Sequence, residues 1–230
     1  AIRRVLVPRQ HAKALGGAIS ERLGVLKVGN PRNAEVTVGP VVNKAQQSSC
    51  LEGLRQLKEE CTVLFGGNEQ FQPIEADQQK SSFVQPTLLS CQNGVSAKFV
   101  HDVEVFGPAA TLVAYDGPEN LVAIARRGLG SLVGSIFSND AAFIQDVILG
   151  IGDMHGRIMV VDSTVGGQFT GHGNVVPSCL HGGPGRAGGG EELAGLRALS
   201  LYHRRFVVQG PPSCITGLEG LSADAALLYS

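Results

Sequence analysis

The chain has no tryptophan, only two methionines and an aromatic content of 5%. Its core must therefore rest on aliphatic side chains and close backbone packing rather than on large rings. It has little charge. Asp, Glu, Lys and Arg make up 17% of residues and leave a formal net charge of -1. That balance excludes the basic footprint of a nucleic-acid surface and a polybasic membrane patch. No apolar run approaches the roughly 20 residues that a spanning helix needs. The apolar stretch after Arg4 meets Pro8 at once, too soon for a secretory signal. The five cysteines, Cys50, Cys61, Cys91, Cys179 and Cys214, are odd in number and include no CxxC pair. They read as reduced thiols in a cytoplasmic protein rather than as a disulfide framework.

What is abundant is glycine, 31 of 230 residues. Without a repeat, that level predicts many tight turns and close backbone approaches. A hydrophobic content of 43% is enough for a buried core. Residues 1–210 read as one domain and 211–230 as a tail or linker. The chain opens on Ala1, and Ile2 to Val7 already read as strand, so the expectation is a piece cut from a longer protein.

Strand and helix patterns alternate. RRVLVP (3–8) reads as a strand, and Ala14, Leu15, Ala18, Ile19 and Leu23 recur at helical spacing over 10–23. Leu51, Leu54 and Leu57 form the apolar stripe of a helix over 43–60. TVLFGG (62–67) reads as a strand closed by glycines. FVQPTLL (83–89) is strand-like, but Pro86 favours an edge or a strand end. Further strands are expected at 111–115, 131–138, 157–162 and 206–209. Helices are expected at 118–127, with Pro118 near its start, at 140–149, with Asn139 as a cap, and at 191–205. The alternation predicts an α/β fold with a largely parallel sheet.

Four groups of residues invite a functional reading. Glu104 and Phe106 precede a Gly-Pro turn, where a carboxylate could accept from two sugar hydroxyls and a ring could shield a planar ligand; a surface Glu and a core Phe is the plainer alternative. HGGPGRAGGGEE (181–192) contains G-x-G-x-x-G at Gly183, Gly185 and Gly188. No strand leads into it and no acidic residue ends the strand after it, so a dinucleotide fingerprint is rejected. A glycine loop running into a helix N-terminus, with Glu191 and Glu192 against the dipole, is expected instead. His172, Cys179 and His181 lack the fourth ligand and paired spacing of a zinc site, so no metal is expected. Cys179 with His172 or His181 as base would make a cysteine hydrolase, though nothing orients the base. Asp162, Ser163 and Thr164 follow a strand end and read as a turn or cap cluster. A phosphate- or coenzyme A-binding module without catalysis also remains open.

Taken in order, GPVVNKAQ (39–46), FVQPTLL (83–89), EVFGP (104–108), GLGSLVGSIFSND (128–140) and HGGPGRAGGGEELAGLRAL (181–199) resemble successive motifs of the aldehyde dehydrogenase superfamily. The resemblance spans nearly the whole chain. His181 stands where the family has Phe, Pro184-Gly185-Arg186 replaces its x-K-x, and a GHGNVVP loop (171–177) precedes. These departures resemble the branch acting on coenzyme A-linked semialdehydes in aromatic degradation, phenylacetate degradation included. The resemblance implies an NAD- or NADP-dependent oxidoreductase whose cysteine thiolate attacks the aldehyde before hydride transfer and hydrolysis. It implies that Glu104 holds the nicotinamide ribose, that Phe106 packs on the nicotinamide, and that His172, His181, Gly182 and Gly183 line the acyl-CoA side. The nucleophilic cysteine is expected two residues before Ala1, so the fragment is expected to be inactive alone. A homo-oligomer is expected of the full-length form.

Overall fold

The structure, a computed structural model, describes residues 2–168, 180–191, 196, 199–203, 207 and 209–211. The chain divides into two compact units, 1–173 with 182–189, and 174–181 with 190–230. The first is α/β. Its strands are β1 (Arg4–Pro8), β2 (Thr62–Phe65), β3 (Thr87–Cys91), β4 (Ala109–Tyr115), β5 (Ser131–Phe137) and β6 (His155–Val161). Between them lie α1 (Ala12–Gly24), α2 (Lys44–Lys58), α3 (Phe99–Asp102), α4 (Gly117–Arg126) and α5 (Ala141–Ile151). β7 (Leu180–Gly182) and β8 (Gly189–Glu191) follow, with α6 (Leu199–Tyr202) in the second unit.

One sheet runs β1-β4-β3-β2, with β1, β4 and β3 parallel and β2 antiparallel at the edge. β5 and β6 form a separate parallel pair. Alternation along the strands builds two cores. Leu88 and Leu112 face α1 with Val7, packing on Leu15, Ile19 and Leu23. Leu89 and Val113 face the other way, onto Cys50, Leu54 and Leu57 of α2 and onto Leu121 and Ile124 of α4. A sheet buried on both faces is the arrangement parallel strands require.

Several local expectations need correction. β3 starts at Thr87, not Phe83, and lies inside the sheet. Pro86 has no N–H to give a ladder, so pairing begins one residue later, where the Thr87 N–H donates to the Pro108 carbonyl at 2.8 Å. The cap of α5 is Asp140, whose Oδ1 accepts from the N–H groups of Ala142 and Phe143. Asn139 instead accepts from the Ser163 N–H at 2.8 Å. Glu191 ends β8 rather than opening a helix, because Gly189 and Gly190 continue extended into it. Among the described residues helical structure returns at Leu196 and in α6. Val207 and Gln209 carry no strand; Val207 is exposed, and no neighbouring strand among the described residues pairs with it. Glu192 lies outside the described residues. No helix among the described residues is long and apolar enough to cross a membrane.

Candidate functional site

Residues 103–106 run extended between α3 and β4. The period of two sends Val103 and Val105 inward and Glu104 and Phe106 outward. Gly53 of α2 makes room for the inward pair; a Cβ there would lie 2.9 Å from Val105 Cγ2. Glu104 and Phe106 therefore stand on one exposed face, and Phe106 is 71% exposed.

The backbone beneath them is held by α2. Asn43 caps that helix by accepting from the Gln46 N–H at 2.8 Å. Gln46 and Cys50, one turn apart, both reach the Phe106 carbonyl. Gln46 Nε2 donates at 2.9 Å and Cys50 Sγ at 3.1 Å. A Cβ on Gly107 would sit 2.7 Å from Cys50 Sγ, so only glycine permits this approach.

On the other side the segment hangs from His101, which is fully buried. Arg4 Nη1 lies 2.9 Å from His101 Nδ1. A guanidinium only donates, so Nδ1 accepts, the ring is neutral, and Nε2–H donates to the Gly94 carbonyl at 2.6 Å. Burial lowers the His101 pKa, and nearby Arg4 and Arg127 lower it further against the Gly94 carbonyl and Glu60. The His101 carbonyl accepts from Arg3 Nη2 at 2.8 Å and from Arg186 Nη1 at 2.9 Å, while Arg186 Nη2 donates to the Asp102 carbonyl at 3.1 Å. Burial lowers the Arg3 guanidinium, and the carboxylate of Glu104 opposes that shift.

Arg186 belongs to the glycine loop, in a 3-10 turn over Gly185–Ala187. Its N–H donates to the Leu129 carbonyl at 2.9 Å, and the Gly183 N–H donates to the Gly188 carbonyl at 3.0 Å. Gly130, at φ 117°, faces the Pro184 carbonyl so closely that a Cβ would collide with it. The glycines thus serve backbone-to-backbone packing between 182–188 and 128–131. β7 leads directly into this loop, which corrects the expectation that no strand precedes it.

Glu104 and Phe106 are brought together. Gly182 and Gly183 lie in the loop whose Arg186 holds the carbonyls of residues 101 and 102. His181 is exposed and belongs to the second unit. His172, Cys179 and Cys214 lie outside the described residues. Asp162 is a turn residue; its Oδ1 accepts from Thr164 Oγ1 at 2.6 Å and from the N–H groups of Thr164 and Val165. Gln46, Cys50 and His101 were not singled out from the sequence. The i, i+4 spacing of Gln46 and Cys50 in a helix's first turns was the available signal.

The order of these motifs has counterparts in known proteins. The model of the "Aldehyde dehydrogenase family" matches residues 1–191. Over 184 residues the chain is 58% identical to 3,4-dehydroadipyl-CoA semialdehyde dehydrogenase of Aromatoleum evansii, covering 80% of this chain and 36% of that protein. Over 180 residues it is 39% identical to Protein MaoC of Klebsiella aerogenes, covering 77% of this chain and 52% of that one. The chain thus spans from about a third to about half of these relatives' length. Among solved structures, an aldehyde dehydrogenase from Bacillus cereus superposes with a TM-score of 0.65 at 22% identity, over 82% of this chain and 35% of that one. A Staphylococcus aureus betaine aldehyde dehydrogenase in complex with NAD+ does so with 0.65 at 23%, over 81% and 34%. A shared fold, a family model matched over most of the sequence and a rim built on Glu-Val-Phe-Gly-Pro agree, and the chain belongs to the aldehyde dehydrogenase family.

Proposed function

We propose that these residues are part of the catalytic half of an NAD(P)-dependent aldehyde dehydrogenase that oxidises a coenzyme A-linked semialdehyde in cytoplasmic aromatic-compound degradation. The catalytic domain spans 1–210, with 211–230 a tail or linker. The observation that carries the reading is the pair Glu104 and Phe106, side by side and exposed on a backbone fixed from both sides.

The residues fit a nicotinamide nucleotide. The Glu104 carboxylate would accept from both ribose hydroxyls, and Phe106 would cover one face of the nicotinamide and exclude water from it. When bound, the cofactor accepts hydride from the substrate. The remaining work of this chain is placement. Gln46 and Cys50 fix the Phe106 carbonyl, and the arginines at His101 fix the approach to Glu104. The nucleophilic cysteine, on this reading, is none of the five present. Gly182 and Gly183, with His172 and His181, line the acyl-CoA side, and the full-length form is a homo-oligomer. The relative named as a CoA-linked semialdehyde dehydrogenase supports the substrate class.

The test is NAD+ and NADP+ binding to the full-length protein. Hydrogen bonds to a charged group contribute about 1.5–3 kcal/mol, so Glu104→Gln is expected to weaken nucleotide binding roughly 10- to 150-fold. Phe106→Ala is expected to weaken it too, with the fold intact by circular dichroism. Unchanged nucleotide affinity in both variants would remove the reading.

A further inference from the structure

Cys61 and Cys91 are both free thiols, unused by the reading above. β2 and β3 are antiparallel, with Thr62 opposite Ser90 and Val63 opposite Leu89. Carrying that register one residue outward sets Cys61 directly opposite Cys91. Directly opposed residues of antiparallel strands have Cα atoms about 4.5–5.5 Å apart, inside the roughly 4.4–6.8 Å span of disulfides. The neighbouring thiol lowers the Cys91 pKa, to about 7, while the Cys91 thiol and burial raise that of Cys61. The Asn93 N–H also favours the Cys91 thiolate, and the Glu60 carboxylate opposes it. Glu60 is itself held by the N–H groups of Lys98 and Val100 at 2.9 and 2.6 Å. Access is unequal. Cys91 is 2% exposed, whereas Cys61 is only half-buried, just outside the edge strand.

We propose that Cys61 and Cys91 form a dithiol modification site that closes to a reversible cross-strand disulfide when it meets a low-molecular-weight disulfide. Cys61, the accessible member of the pair, passes its proton to the neighbouring Cys91 thiolate and attacks one sulfur of the external disulfide; Cys91 then loses that proton to solvent. A mixed disulfide forms at Cys61 and the first small thiolate leaves. The Cys91 thiolate then attacks Cys61 Sγ and expels the second. Both cysteines are oxidised, the external disulfide is reduced to two thiols, and the two cysteine protons leave with them. An excess of small thiol runs the exchange backwards. Such closure ties the ends of the segment that carries β2 and the 66–86 loop.

The experiment is peptide mapping of the reduced full-length protein before and after oxidised glutathione. Trypsin leaves Cys61 on peptide 59–80 and Cys91 on peptide 81–98, since no Lys or Arg lies between Lys58 and Lys80 or between Lys80 and Lys98. The expected result is one linked species lighter by two hydrogens than the separate peptides, restored by dithiothreitol. Alkylation of both thiols should fall in parallel. In Cys91→Ser a glutathione adduct should persist at Cys61. The proposal is overturned if the peptides stay separate and alkylatable, or if either cysteine links to Cys50, Cys179 or Cys214 instead. The wild-type map decides this even if a variant folds poorly.

Discussion

Gly107 and Cys50 meet so closely that the chemistry of one limits the other. A methyl group at Gly107 would press on Cys50 Sγ, and overpacking of this kind costs about 1–3 kcal/mol. Gly107→Ala should lower the unfolding free energy by that order and disturb Phe106. Gly107→Ala with Cys50→Ala should cost less than the two singles summed, as a denaturation double-mutant cycle would show. His101 sets a second expectation. Its neutral ring accepts from Arg4, and its pKa in the folded chain lies below the unfolded value of about 6.5. The unfolded chain thus takes up the proton first as pH falls. Stability from this group is complete above about 6.5 and declines from there towards the lower folded-state value. Urea titrations between pH 8 and 5 should show that decline, and His101→Gln should flatten it; an unchanged slope would assign it to other groups.

At the level of elements, caps and turns decide where the pattern stops. Asp140 caps α5 with two backbone hydrogen bonds, while Asn139 ties the end of β5 to Ser163. Asp140→Ala should therefore cost about 0.5–2 kcal/mol, read from chemical denaturation. Asn139→Ala should leave α5 helicity unchanged. The sequence made α1, α2, α4 and the parallel strands legible, because their apolar periods match the faces they bury. Pro118 at the start of α4 was equally plain. The choice between adjacent Asn139 and Asp140 was not, since both side chains suit a cap and only the direction of the chain into α5 separates them. Glu104 and Phe106 were legible as a motif. Their support was not, because Cys50 reaches Phe106 across 56 residues and Arg186 reaches His101 across 85. The opposition of Cys61 to Cys91 was hidden for the same reason: register is a property of two strands, not of either one.

For the molecule as a whole, it matters most that the match covers only 36% and 52% of the two relatives. If the aldehyde-attacking cysteine is none of these five, the purified chain should oxidise no aldehyde with NAD+ or NADP+, whereas the full-length protein should. Turnover by the chain alone, followed at the absorbance of reduced nicotinamide, would refute the assignment. The sheet order has a different outcome, in time rather than space. Among the described residues β1 pairs only with β4, and Arg4 meets Thr111 more than 100 residues later. At about 5–20 residues per second of synthesis, the Arg-Val-Leu-Val strand waits on the order of 5–20 s on the ribosome before its partner exists. Through that interval the edge that β4 later covers is open to any other nascent strand, and a chaperone that shields it should raise the yield of folded protein.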